Sequence, residues 1–217
     1  PQINNIYLLS KFFKEAKLLE KSLNNKKVEA ISNLDNIDDI DYAIIALSQI
    51  PKKERERSFK IAKTTYQARQ YELRFNFEGI KNIGKLLKPH SKKIKYIIVT
   101  NPSEEITNYL QQVLGHRNVF GFGTELDARR YAKILGKEVY CLGPHGRAFP
   151  LINSNSKEDY DNLLNKSDSI TLKHLREKGI QHELVALSFK DFFKKLTSNK
   201  DIVHVCSYLE KPFLGVK

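Results

Sequence analysis

Methionine is missing altogether from these 217 residues, and cysteine occurs only as Cys141 and Cys206. Two thiols cannot build a disulfide framework, and neither a CxxC nor an HExxH spacing is present, so no metal site is expected and a reducing compartment fits best. Long apolar runs are absent too. The longest, Tyr42–Leu47, is bounded by Asp41 and Ser48 and falls far short of the roughly 20 residues needed to cross a bilayer, so no membrane insertion is expected. A sequence that opens on Pro1 without any Met is expected to be processed or partial. With its basic balance it suits a mitochondrial matrix protein, although no Arg- and Ser-rich leader is visible; a cytoplasmic location is the alternative.

What is present is a hydrophobic content of 41%, enough for one large core or two small ones, and a formal net charge of +12. The basic residues are mixed with acidic ones, as in Pro51–Lys60 (PKKERERSFK), and the pattern reads first as a solvated helix face. Attraction to RNA is open from charge alone, but no RNA-recognition signature accompanies it.

Short β-prone runs at Ile6–Leu9, Val28–Ile31, Ala43–Leu47, Tyr96–Thr100, Val119–Phe122 and Val139–Leu142 alternate with stretches of helical period. Lys14–Leu23 and Tyr66–Lys88 carry apolar residues at three- and four-residue spacing, the second stopping before Pro89. Glu104–Leu114 is predicted as a helix with Ser103 as its N-cap and Gly115 as its stop. Such alternation predicts a parallel sheet with crossover helices. After Pro150 the character changes: a polar loop at Asn153–Lys157, a helix over Tyr160–Lys178 closed by Gly179, a helix capped by Ser188 and running to Thr197, then strands at Ile202–Tyr208 and Pro212–Val216. A domain boundary near residue 150 follows, dividing the chain into 1–150 and 151–217.

Three segments carry chemistry: Tyr96–Pro102 (YIIVTNP), Asn118–Arg130 (NVFGFGTELDARR) and Gly143–Gly146 (GPHG). Taken singly they are unremarkable, since Asp127 and Arg130 form an ordinary i,i+3 helix pair and a histidine between glycines is usually a surface residue. Together, and in this order, they resemble consecutive motifs of the lactate/malate dehydrogenase family. The resemblance implies a truncated Rossmann-type parallel sheet followed by a reduced α+β C-terminal domain. It also implies His145 as the proton-transfer group, Asp127 as the carboxylate that orients it, Arg130 as the clamp for a substrate carboxylate, Arg69 as the carbonyl-polarising arginine and Asn101 at a cofactor-side position. Those residue types suit the task. An imidazole titrates near neutrality, a carboxylate fixes its tautomer, and a guanidinium grips a carboxylate through two parallel hydrogen bonds.

Departures from the family pattern point away from catalysis. No G-x-G-x-x-G turn exists to seat a pyrophosphate, and Ser10 stands where an acid for the ribose is expected at the end of the second family strand. Arg147 follows the His-Gly pair where the family has an acid, the Arg130–His145 stretch is shorter, and the Leu47–Arg69 stretch is longer and rich in Lys and Glu. Lys63 falls near the family's selectivity position, while His174, His182 and His204 receive no role.

The leading expectation is a pseudoenzyme without cofactor, serving as an accessory subunit of a larger assembly such as a mitochondrial complex or ribosome, where other protein subunits cover an otherwise exposed sheet flank. The alternative is an active NAD-dependent 2-hydroxy acid dehydrogenase completed by an N-terminal segment outside this sequence. A sensor that binds a 2-oxo acid at Arg130 without turnover is the third reading.

Overall fold

The computed structural model describes residues 3–35, 40–90, 93–152, 157–198, 204–209 and 211–216. The chain folds as two units, 1–40 and 41–217.

The first unit is one βαβ element. Strands β1 (Ile6–Leu9) and β2 (Val28–Ile31) pair in parallel from Ile6 opposite Val28 to Leu9 opposite Ile31, with helix α1 (Phe13–Leu23) as the crossover. Asn24 closes α1 in the left-handed conformation, φ 44°, its N–H donating to the Glu20 carbonyl. Ala16, Val28 and Ala30 are buried, whereas Phe12, Leu18 and Leu23 remain exposed.

The second unit contains, in chain order, β3 (Tyr42–Ile45), α2 (Lys52–Ile61), α3 (Thr65–Leu87), β4 (Lys95–Ile98), α4 (Ser103–Leu114), β5 (Val119–Gly121), α5 (Thr124–Leu135), β6 (Tyr140–Leu142), β7 (Phe149–Leu151), α6 (Lys157–Lys178), α7 (His182–Thr197), β8 (His204–Leu209) and β9 (Lys211–Val216). Its main sheet runs β3-β4-β5-β8-β9. The first three strands are parallel, as the βα alternation predicts. β8 joins β5 antiparallel, Gly121 facing Cys206, and β9 returns antiparallel to β8, so the sheet is mixed. β4 occupies the middle of the parallel trio. Tyr96, Ile97 and Ile98 are wholly buried there, as an apolar run covered on both faces should be.

Helix α7 packs through Phe192, Val185, Phe189 and Phe193 onto Ile97, Phe122 and Leu126. Those contacts explain why it begins at His182: Ser188, expected as its cap, lies inside the helix with its hydroxyl buried. Ser103 likewise is the first helical residue of α4, not its cap, because Pro102 holds the extended conformation before it. The segment after α5 also departs from expectation, since β6 pairs with an unforeseen β7 as an antiparallel two-stranded ribbon. Among the described residues no helix is long and apolar enough to cross a membrane.

Candidate active site

The β6–β7 connection is a short loop whose glycines set its path. Gly143 (φ 125°) and Gly146 (φ 86°) hold backbone conformations that side-chain-bearing residues rarely adopt. A Cβ on Gly146 would also fall 2.8 Å from the Tyr66 backbone nitrogen. Between them His145 turns inward and is only 5% exposed. Its ring lies against the start of α5, where a Cβ on Gly123 would come within 2.5 Å of His145 Cγ.

One turn further along α5, Asp127 is almost fully enclosed and its hydrogen bonds converge on this centre. Oδ2 lies 3.0 Å from His145 Nδ1 and accepts the Gly146 N–H at 2.6 Å, while Oδ1 accepts from Arg130 Nη1 at 3.0 Å. Burial alone would raise the Asp127 carboxyl; the His145 charge and hydrogen bond, Arg130 and the Gly146 N–H outweigh it and hold the group below the usual carboxylate range. An ionised carboxylate only accepts, so His145 Nδ1 carries its proton toward Asp127 and Nε2 is the nitrogen left for exchange with a ligand.

Arg130 is largely buried, with one carboxylate partner and an Nε that has no hydrogen-bond partner. Burial depresses its pKa, Asp127 opposes that, and the neighbouring Arg69 charge adds to the depression. Arg69, on α3, is therefore near Arg130. Its own guanidinium is paired with Glu72 at 3.0 Å, both side chains buried. Asn101 follows β4, and its carbonyl accepts from Asn76 Nδ2 at 2.8 Å; Asn76 Oδ1 in turn accepts the Gln49 N–H at 2.8 Å. Arg147 is exposed with its guanidinium over the Tyr66 ring, 5.4 Å from the centroid, so its charge faces outward.

Two acids that sequence reasoning missed complete the centre. Glu104, in the first turn of α4, accepts the His145 backbone N–H at 2.6 Å. Its place directly after the Asn-Pro-Ser segment was the available signal. Asp168, on α6, accepts from the Thr65 N–H at 2.9 Å and from the Thr65 hydroxyl at 2.5 Å; that hydroxyl is also 3.3 Å from the Gly146 carbonyl. Burial raises the Asp168 carboxyl, the Thr65 hydrogen bonds oppose this, and the Asp127 charge adds to the rise. Nothing in the α6 sequence marks Asp168. Beside it opens a depression of about 570 Å³ with Lys63, Asn165, Ser169 and Lys173 on its walls.

Ser10 spends its hydroxyl on the Phe12 N–H at 3.2 Å, and neither α1, α4 nor α5 begins on a G-x-G-x-x-G turn. The first turns of α4 and α5 carry Glu104, Glu105, Glu125 and Asp127.

No protein-family model matches the sequence, and no curated protein matches it. Solved structures do match in fold. Malate dehydrogenase from Plasmodium falciparum is 18% identical, with 98% of this chain and 78% of that one covered and a TM-score of 0.70; that protein has also been solved in complex with NADH. Malate dehydrogenase from Aeropyrum pernix is 17% identical over 95% of this chain and 74% of that one, TM-score 0.71. L-Lactate dehydrogenase from Clostridium thermocellum is 19% identical over 98% and 76%, TM-score 0.67. The chain thus has the Rossmann-like α/β fold of malate and lactate dehydrogenases.

Proposed function

We propose that this centre handles the C2 oxygen and the carboxylate of a 2-hydroxy acid/2-oxo acid pair, the proton half of a malate/lactate-type dehydrogenation. The observation that carries it is the single Asp127 carboxylate shared by His145 Nδ1, the Gly146 N–H and Arg130 Nη1. That arrangement supports three coupled tasks. Asp127 orients the imidazole, His145 Nε2 exchanges the proton of the C2 oxygen, and the Arg130 guanidinium, held by Asp127, is the cation for the substrate carboxylate. The redox half of such a reaction belongs to a nicotinamide dinucleotide; the residues named here supply the proton half.

Calorimetric titration with oxamate, a 2-oxo acid mimic, and with NADH, followed by turnover assays on oxaloacetate and pyruvate, tests this reading. Oxamate is expected to bind, and Arg130→Ala to weaken it about 10- to 100-fold, the worth of one or two charged hydrogen bonds. Oxamate binding that ignores Arg130→Ala defeats the proposal.

A second reading is a non-catalytic subunit of a larger, mitochondrial assembly held by other protein subunits. The exposed Phe12, Leu18, Leu19 and Leu23 of the first unit favour it, as does the occupied Ser10 hydroxyl. Recovery in a large particle without oxamate or NADH binding would support this reading over the first.

A further inference from the structure

Glu104 makes a contact that the substrate chemistry proposed above does not require. Its Oε1 accepts the backbone N–H of His145 at 2.6 Å across 41 residues of sequence. A neutral acceptor or water could satisfy that N–H. A carboxylate there is costly: burial pushes the Glu104 carboxyl up, and the His145 charge and the His145 and Glu104 backbone N–H groups lower it without cancelling the rise. The charged groups around the pair are accounted for. From α5, Asp127 takes the His145 ring and the Gly146 N–H and pairs with Arg130. Glu105 of α4 accepts from Gln70 of α3 at 2.6 Å, Tyr66 of α3 feels both Glu104 and Glu105, and Arg147 of the loop faces that tyrosine. Glu104 is therefore the carboxylate that fixes the His145 main chain, while Asp127 fixes its ring.

We propose that Glu104 is a positioning residue for proton transfer at His145, holding the β6–β7 loop in register and placing a second negative charge beside the imidazolium that forms when His145 takes a proton. The inference rests on the 2-hydroxy acid reading. It differs from the role of Asp127 because the contact is to main chain, so the ring stays free to move its proton while its anchor point cannot drift. It also gives a use to an acid at this partly buried point in the first turn of α4.

Two variants separate anchoring from charge. Glu104→Gln keeps an acceptor oxygen and removes the charge; Glu104→Ala removes both. With wild-type turnover of oxaloacetate or pyruvate in hand, Glu104→Gln is expected to lower kcat about tenfold and Glu104→Ala about 100-fold, with KM for the 2-oxo acid within about twofold, since Arg130 is untouched. A loss of packing would move stability without this kcat-against-KM split. As a readout independent of turnover, the ¹⁵N-detected amide resonance of His145 should follow the Glu104 titration in the wild type, above the ordinary carboxylate range, and be flat there in Glu104→Gln.

Wild-type kcat in both variants, or a His145 amide that ignores Glu104, overturns the positioning role alone. A wild-type protein with neither turnover nor oxamate binding defeats the 2-hydroxy acid reading and the positioning role with it, whatever the amide does.

Discussion

Adding one methyl group at Gly123 should disable the centre without touching any of its polar atoms. What the methyl meets is His145: the new Cβ would lie 2.5 Å from Cγ and 2.6 Å from Cβ of that residue. Carbon atoms rest at about 3.5–4.0 Å, so ring or helix must yield by roughly 1 Å. His145 Cβ and Cγ sit close to the loop backbone, which Glu104, Asp127 and Thr65 all hold, and little of the strain can be absorbed by rotating a flexible end. A shift of that size breaks the 3.0 Å contact between Nδ1 and Asp127. Displacement of about 1 Å at a reacting group costs on the order of 100-fold in rate, and overpacking costs about 1–3 kcal/mol in stability. Steady-state turnover of a 2-oxo acid by Gly123→Ala, set beside calorimetric binding of oxamate and a thermal melt, reads all three. The expected pattern is lost kcat, oxamate affinity within a few-fold of wild type and a modest drop in Tm. Wild-type kcat in a folded Gly123→Ala protein would refute the close packing of His145 on α5.

Asp127→Asn should abolish turnover, because an amide NH2 can turn toward Nδ1 and leave His145 in the wrong tautomer. It should also change the acid profile of unfolding. The Asp127 carboxyl is held below its ordinary value in the folded state, so its stabilisation is present above its unfolded pKa of about 3.9 and is lost as pH falls through the lower folded value. Melts of wild type and Asp127→Asn should therefore differ at neutral pH and converge in strong acid; a constant gap down to the lowest pH would contradict the hydrogen-bond assignment. In the main core, Phe192→Ala should cost about 3–5 kcal/mol by urea unfolding, since the ring is wholly buried against Ile97, Phe122 and Leu126. A loss under about 1 kcal/mol would mean that α7 is not seated on the sheet as described.

The centre was legible to the extent that its residues share local pattern. Asp127 and Arg130 stand three apart on a helix whose start is marked by Gly123, and His145 stands between glycines that the loop needs at φ 125° and 86°. Glu104 and Asp168 were not legible, since an acid in a first helical turn or on a long amphipathic helix is ordinarily a solvated residue. Arg69 was picked out by position, yet its buried partner Glu72 one turn away was not anticipated. Caps failed for a related reason. Ser103 and Ser188 have the right chemistry for an N-cap, but Pro102 and the apolar face of α7 set the true helix starts.

By itself the sequence determined the alternation of strand and helix, the buried β4 run and the parallel β3-β4-β5 trio, because side-chain periodicity and β-branched content act locally along the chain. Tertiary structure alone decided the antiparallel β8 and the β6–β7 ribbon, because strand direction depends on which end of the sheet the chain returns to. It alone also brought Glu104, Asp127 and Asp168 from three separate helices to the loop that carries His145, where partial or full loss of water makes their hydrogen bonds to that loop, or through Thr65 to it, count for more than they would at the surface.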